Sequence, residues 1–302
     1  MNFLDCKIVN TWGIMYNCDI YNENEKFIDF NRYLGSINWN NIKTGSKLYI
    51  GLNYLNNFIE NYLNKLKVPI FLITGHGDLE PIKSIIDNEK IIHWFSQNAD
   101  FKHPKMTLIP IGMDYHTLAT TGNTSWGINN TPINQENEIF NIRDAFKREK
   151  ILKCYCNFKY TINDRKYGDD RINALNEIPS YLLFHEKQAE LRIISWINQI
   201  SYNFVISPAG NGLDCHRTYE ALALGCIPIV KTGPLDELYI DLPVLIVKEW
   251  SDITLELLKT TLEEYKLKEF KMEKITLKYW NNIINEKVAN YNDIKHKYLK
   301  YK

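Results

Sequence analysis

Between Phe204 and Val230 the chain reads FVISPAGNGLDCHRTYEALALGCIPIV, and its residue types and spacing suit a phosphorylated ligand. Arg217 carries a planar guanidinium whose fork matches phosphate oxygens. His216 precedes it, and Glu220 follows three residues later on the same helical face. A carboxylate there can accept two hydroxyl protons, as a ribose diol would offer. Ser207, Gly210, Asn211 and Gly212 form a turn cluster in which the glycines let the backbone come close to a ligand. Diphosphate beside ribose describes a nucleotide-sugar. The plain alternative is that Arg217 and Glu220 form a surface ion pair, the commonest fate of this spacing.

Such groups need a strand, a loop and a helix to place them, and the flanking residues supply all three. Phe204-Val205-Ile206 reads as a short buried strand. Asp214 is a suitable N-cap for a helix from Cys215 to Leu224, with Gly225 ending it as C′. Cys226 to Val230 reads as the next strand. The free N–H groups and positive end of the helix then face whatever lies over the loop.

Pro208-x-Gly210, Arg217, Glu220-Ala221 and Gly225-Cys226-Ile227-Pro228-Ile229 together resemble the donor-binding motif of exostosin-like (family 47 type) glycosyltransferases. The match covers roughly thirty residues. Leu242 to Trp250 and Ile109 to His116 are similar to further strands of that family. The resemblance implies a GT-B fold: two Rossmann-like domains facing a central cleft, with C-terminal helices, the last crossing back to the first domain. It also implies transfer of a hexosyl or pentosyl group from a UDP-sugar, with inversion and without a metal. Animal exostosins are Golgi-anchored. This chain has no run of membrane-spanning length, and its N-terminus lacks a signal-peptide pattern, so it reads as cytoplasmic.

The chain has 302 residues, 45% hydrophobic and 24% charged, enough for two α/β domains. Its formal net charge of zero removes the bulk argument for nucleic-acid or membrane affinity. Six cysteines make no C-x-x-C pair. Cys154 and Cys156 fall on one face of a strand and read as buried thiols. No Asp-x-Asp and no H-E-x-x-H occurs, so no metal site is expected, and no cofactor beyond a nucleoside-diphosphate sugar as co-substrate.

Residues 1–45 read only as several short elements, with Trp12 and Trp39 expected to pack. Strands are expected at 47–52, 68–74, 91–95 and 106–112, with helices at 55–66 and 81–87, followed by a loop over 117–135 and a helix over 134–148. The second half places strands at 151–158, 204–206, 226–230 and 244–247, helices at 170–177 and 188–199, and a largely helical tail from 254. Alternation of this kind implies parallel sheets. The domains expected are 1–135 on the acceptor side, joined by a helix at 275–302, a linker helix at 136–150, and a donor domain at 151–274.

Ligands in open α/β sheets bind beyond the carboxyl ends of the strands. The loops there hold Asn157 beside the phosphates, and on the first half Gly75-His76-Gly77-Asp78 and Gly112 to His116. Asp78 is the first choice for a base on an acceptor hydroxyl, followed by His76, Asp114 and His116. Asp78 is equally suited to capping a following helix. Arg171 reads as a helix-surface charge, and Arg192 and Trp196 as packing. A glycan, glycolipid or protein would be the acceptor. A non-catalytic nucleotide-sugar-binding module and a UDP-sugar epimerase are the other classes compatible with the scaffold.

Overall fold

The computed structural model describes residues 2–22, 34–35, 37–122, 124–158, 166–186, 188 and 190–299. Two parallel sheets organise it. The first contains β1 (Lys47–Gly51), β2 (Ile70–Gly75), β3 (Ile91–Ser96) and β4 (Met106–Leu108), paired in that order. The second contains β5 (Ile151–Cys156), β6 (Leu183–His185), β7 (Tyr202–Ile206), β8 (Ile227–Lys231) and β9 (Leu245–Val247), in the order β6-β5-β7-β8-β9. The chain leaves β5 towards β6 and returns on the other side as β7. The ends of β5 and β7 therefore flank a topological switch point, where open α/β sheets leave a crevice.

Both sheets are covered on both faces, which is why β2 (IFLITG) is buried throughout. Ile70 and Leu72 pack into one hydrophobic cluster, and Phe71 and Ile73 into another. In the second sheet, Cys154, Cys156, Phe204 and Ile206 share an outer cluster, which makes the two cysteines neighbours on one buried face. Burial pushes the Cys156 thiol up to about 12, so it is no nucleophile at neutral pH. Tyr155 and Val205 point the other way, into the cluster that also holds Phe71, Ile73 and Phe95. A single apolar layer thus lies against one face of each sheet.

Among the described residues, ten helices cover the sheets, some on this layer and some on the outer faces. They are α1 (Thr11–Tyr16), α2 (Leu55–Asn61), α3 (His116–Thr120), α4 (Pro132–Ala145), α5 (Asp170–Glu177), α6 (Arg192–Gln199), α7 (His216–Ala223), α8 (Asp236–Tyr239), α9 (Leu255–Leu267) and α10 (Leu277–Leu299). α1, α4, α6, α7 and α10 all contribute residues to the shared cluster. α1 is one of the short elements of residues 1–45. The Asn10 side chain caps it, accepting from Gly13 N at 2.7 Å. α4 begins with Thr131 as N-cap and Pro132 at its first turn, inside what reads as a loop. It therefore straddles the expected boundary at 135. α10 runs back to the first sheet: Leu277 N donates to Lys7 O (2.9 Å), Lys47 Nζ to Asn285 Oδ1 (2.8 Å), and Tyr291 meets Phe71 edge-on.

Three expected elements come out shorter, for local reasons. The helix expected at 81–87 is only a 3-10 turn, Lys83–Ile85, because seven residues scarcely offset helix nucleation. β4 stops before Pro110, which has no N–H to pair. The helix expected from 188 starts at Arg192, after the three-residue edge strand β6, which has no apolar alternation to announce it.

Candidate functional site

The turn from Ser207 to Cys215 joins β7 to α7 at the switch point of the second sheet. Arg217, in the first turn of α7, reaches across it: its Nε donates to Asn157 Oδ1 beyond β5 (3.1 Å), and its guanidinium lies 5.2 Å from the centroid of Phe158. Its Nη1 is buried without a hydrogen-bond partner, and Arg217 forms no ion pair among the described residues. It does not pair with Glu220 as the spacing allowed. Gly225, at φ +65, ends α7 as expected. Asp214 is not the cap; Cys215 occupies that position. Asp214 is instead buried as a tie between the halves, its Oδ2 accepting from Ile111 N (2.8 Å) and Tyr219 Oη (2.9 Å). Burial raises its pKa, against the pull of these donors.

Each glycine of the turn faces protein. A methyl on Gly210 would collide with the Arg171 guanidinium. One on Gly212 would sit 2.9 Å from Asn98 Nδ2 and 3.0 Å from Asp78 O. The space a side chain at 212 would fill is thus taken by residues of the first half. Ser207 is buried, its Oγ sharing a hydrogen bond with Thr218 Oγ1 (2.8 Å), and Asn211 is exposed.

Opposite α7 stand the loops after β2 and β4. His76, His116, His216 and Asp78, with Thr11, Asn53, Gly77 and Ile111, line a cavity of about 210 Å³. The imidazoles form a row: ring centroids of His76 and His116 are 4.7 Å apart, those of His116 and His216 6.0 Å, and Trp12 stacks on His116 at 5.9 Å. Their protonation follows from their partners. Trp12 Nε1 can only donate, so His76 Nδ1 accepts from it (3.2 Å) and the ring is neutral. The carbonyl of Gly112 only accepts, so His216 Nδ1 carries a proton (2.6 Å). His116 Nδ1 lies 3.2 Å from Asp114 Oδ1, which turns its Nε2 into the acceptor. Burial, with like charge from neighbouring rings, lowers His76 to about 3 and His116 to about 4. His76 also has φ +48, held by bonds from its N–H to Thr11 Oγ1 (3.1 Å) and Gln97 Oε1 (3.0 Å). A side chain kept there despite the strain is a mark of sites where position matters. The carboxylate of Asp78 makes no hydrogen bond or ion pair among the described residues, and no helix follows for it to cap.

Asp114 is not on that cavity. It is buried, its oxygens taken by Thr117 N (2.9 Å) and Thr117 Oγ1 (2.8 Å), with Arg192 Nη2 at 3.3 Å. Burial opposes its charge, yet His116 and Arg192 hold the carboxyl well below its usual range. Its oxygens are taken up by Thr117, Arg192 and His116, and it orients His116. Arg192, expected to be packing, is the residue the sequence underrates. Its guanidinium bonds Asp114 O, donates to Gln135 Oε1 (2.9 Å), and comes within 3.6 Å of Glu220 Oε1, between the rings of Trp126 and Trp196. Glu220 thus has one oxygen engaged, which reduces the expected two-oxygen grip on a diol to one. Period alone could not show this; the signal was a charged residue at an apolar helix position.

A second cavity, about 340 Å³, lies on the other side of the glycine turn, lined by residues after β7 and β8 including Ser207, Thr218, Lys231 and Asp236. It is larger but holds neither Arg217 nor the imidazoles. In the first turn of α7, His216 lines the first cavity and Thr218 the second. Among the described residues, no three histidine, cysteine or acidic side chains are arranged to hold a metal ion. None of their helices is long and apolar enough to cross a membrane.

No family model matches the chain, and no curated protein matches it. Among solved structures it is similar to WaaG, a glycosyltransferase involved in lipopolysaccharide biosynthesis, at 10% identity over 76% of this chain and 81% of that one, with a TM-score of 0.35. A likeness of that size adds no weight to what the geometry says.

Proposed function

We propose that the protein is a glycosyltransferase that moves a sugar from a nucleoside-diphosphate sugar, most simply a UDP-sugar, to an acceptor hydroxyl, with inversion and without a divalent ion. The observation that carries the reading is Arg217. It spans the switch point of the second sheet in the first turn of a helix, with a buried nitrogen that has no hydrogen-bond partner, and its neighbour His216 lines a cavity that also holds a carboxylate and two further imidazoles. In this reading Arg217, His216 and the helix N-terminus offset the charge on the departing diphosphate. Glu220 holds a ribose hydroxyl through the oxygen that Arg192 leaves. Asp78 takes the acceptor proton as the acceptor oxygen bonds to the anomeric carbon and the carbon–phosphate-oxygen bond breaks. A glycan, glycolipid or protein would supply that hydroxyl.

The test is thermal-shift screening against UDP-, GDP- and dTDP-sugars, comparing wild type with Arg217→Ala and Glu220→Gln. At least one sugar nucleotide should raise the wild-type midpoint. Arg217→Ala should abolish most of that shift, and Glu220→Gln part of it. If no sugar nucleotide stabilises the wild type, the reading fails. Stabilisation without transfer or donor hydrolysis would leave a binding module, and turnover of donor alone into its epimer would make the chain an epimerase.

A further inference from the structure

Helix α6 has its faces reversed. An amphipathic helix of a globular chain presents its apolar stripe to the core. Here Arg192, Ser195 and Gln199 are buried beside Trp196, while Ile193, Ile194 and Ile197 are 37%, 37% and 47% exposed. Buried partners hold the polar residues inward: Arg192 donates to Gln135 Oε1, and Ser195 Oγ to Glu186 Oε2 (3.2 Å). The apolar surface continues past both ends of the helix. Leu191 before it is half exposed, and the turn whose Trp126 O accepts from Arg192 N (2.7 Å) carries the still more exposed Ile128. At the other end Ser201 O accepts from Ile151 N (2.7 Å), and Ile151 is half exposed. Apolar side chains grouped in this way on a surface mark a contact face.

The rim of this face is polarised. Near the start of α6 stand Glu190 and Glu138, whose Oε1 accepts from Asn130 Nδ2 (2.9 Å). Near its end, in the segment leading into Ile151, Lys147 and Arg148 are exposed, and with Glu149 beside them that end is still net positive. Lys150 turns away, donating to Gly225 O (2.8 Å). An anionic bilayer would repel the acidic end. A second copy related by a two-fold axis, with its α6 antiparallel, sets each acidic end against a basic one. We propose that this face joins two copies of the chain in a symmetric dimer, with the isoleucines of α6 at its centre and the oppositely charged ends of the two copies paired. A stable interface takes about 800 Å² from each partner, more than one short helix presents, and the flanking Ile128 and Ile151 extend the stripe towards it. These residues line neither cavity, so the proposal is independent of the transferase reading.

Sedimentation velocity of the full chain over a micromolar concentration series tests it. Wild type should sediment as a dimer that dissociates on dilution. Ile197→Glu puts a charge from each copy into the centre of the contact and should raise the dissociation constant about 100-fold or more. Its far-UV circular dichroism should be unchanged, because the position is exposed and glutamate suits a helix. Lys147→Glu with Arg148→Glu, and separately Glu190→Lys, should each weaken the dimer at low salt by setting like charges face to face. Mixed in equal amounts, these two variants should associate more tightly than either alone, since every end again meets its opposite. A wild type that stays monomeric throughout overturns the proposal, and binding of that monomer to vesicles of anionic phospholipid would give the face to a membrane instead. A dimer that survives Ile197→Glu uses another face and overturns it too. Should Ile197→Glu fail to fold, the charge variants decide, and no gain on mixing them is a refutation.

Discussion

Asp78 and His116 both meet the 210 Å³ cavity, but they are prepared differently. His116 is oriented by Asp114 and depressed to about 4, so at neutral pH it is a weak acceptor. Asp78 has no described partner to satisfy its oxygens, which leaves them for an acceptor hydroxyl. Asp78→Asn keeps the shape and removes the base, so kcat should fall about 10²- to 10⁴-fold while donor affinity stays within a factor of about two. Steady-state rates with calorimetry on the same protein check this. If kcat falls only in His116→Gln, the base is the imidazole. Residue types alone showed that these loops hold candidates. They could not show that Asp114 is also held by Arg192, because that partner is 78 positions away and concealed in a helical pattern.

At the scale of elements, α6 is held to its neighbours through Arg192. That side chain joins the loop after β4, α4 and α7 by way of Asp114, Gln135 and Glu220. Removing one member of a buried charged network leaves the others uncompensated, so Arg192→Ala should cost about 3–5 kcal/mol in chemical denaturation. A change below about 1 kcal/mol would show that the network is not stabilising. The period of α6 is readable, but its start is not, since the edge strand before it is only three residues long. β2, β7 and β8 were readable for the opposite reason: continuous apolar runs have no other stable home than a sheet covered on both faces.

For the whole molecule, buried neutral histidines make stability depend on acid. His76, His93 and His116 stand at about 3, 4 and 4, against 6.5 for an ordinary histidine. Between pH 6.5 and about 4 the unfolded chain binds protons that the folded one refuses, so stability falls as pH falls through that window. Asp114, with its lowered pKa, loses its contribution only below the ordinary carboxylate value, and Asp214, with its raised pKa, offsets part of the loss. Melting midpoints should therefore drop by several degrees from pH 7 to pH 4.5, and a His76→Gln, His116→Gln double variant should show a shallower slope. An equal slope would remove these rings from the account. The sequence by itself determined the alternating elements, the parallel sheets and the strand–turn–helix around Arg217, because apolar period, glycine turns and helix-ending signals are local. Tertiary structure alone decided which charges meet. Arg171 beside Arg217, Arg192 between Asp114 and Glu220, and three imidazoles around one cavity join residues tens of positions apart, and only the packing of both sheets against one shared layer brings them within reach.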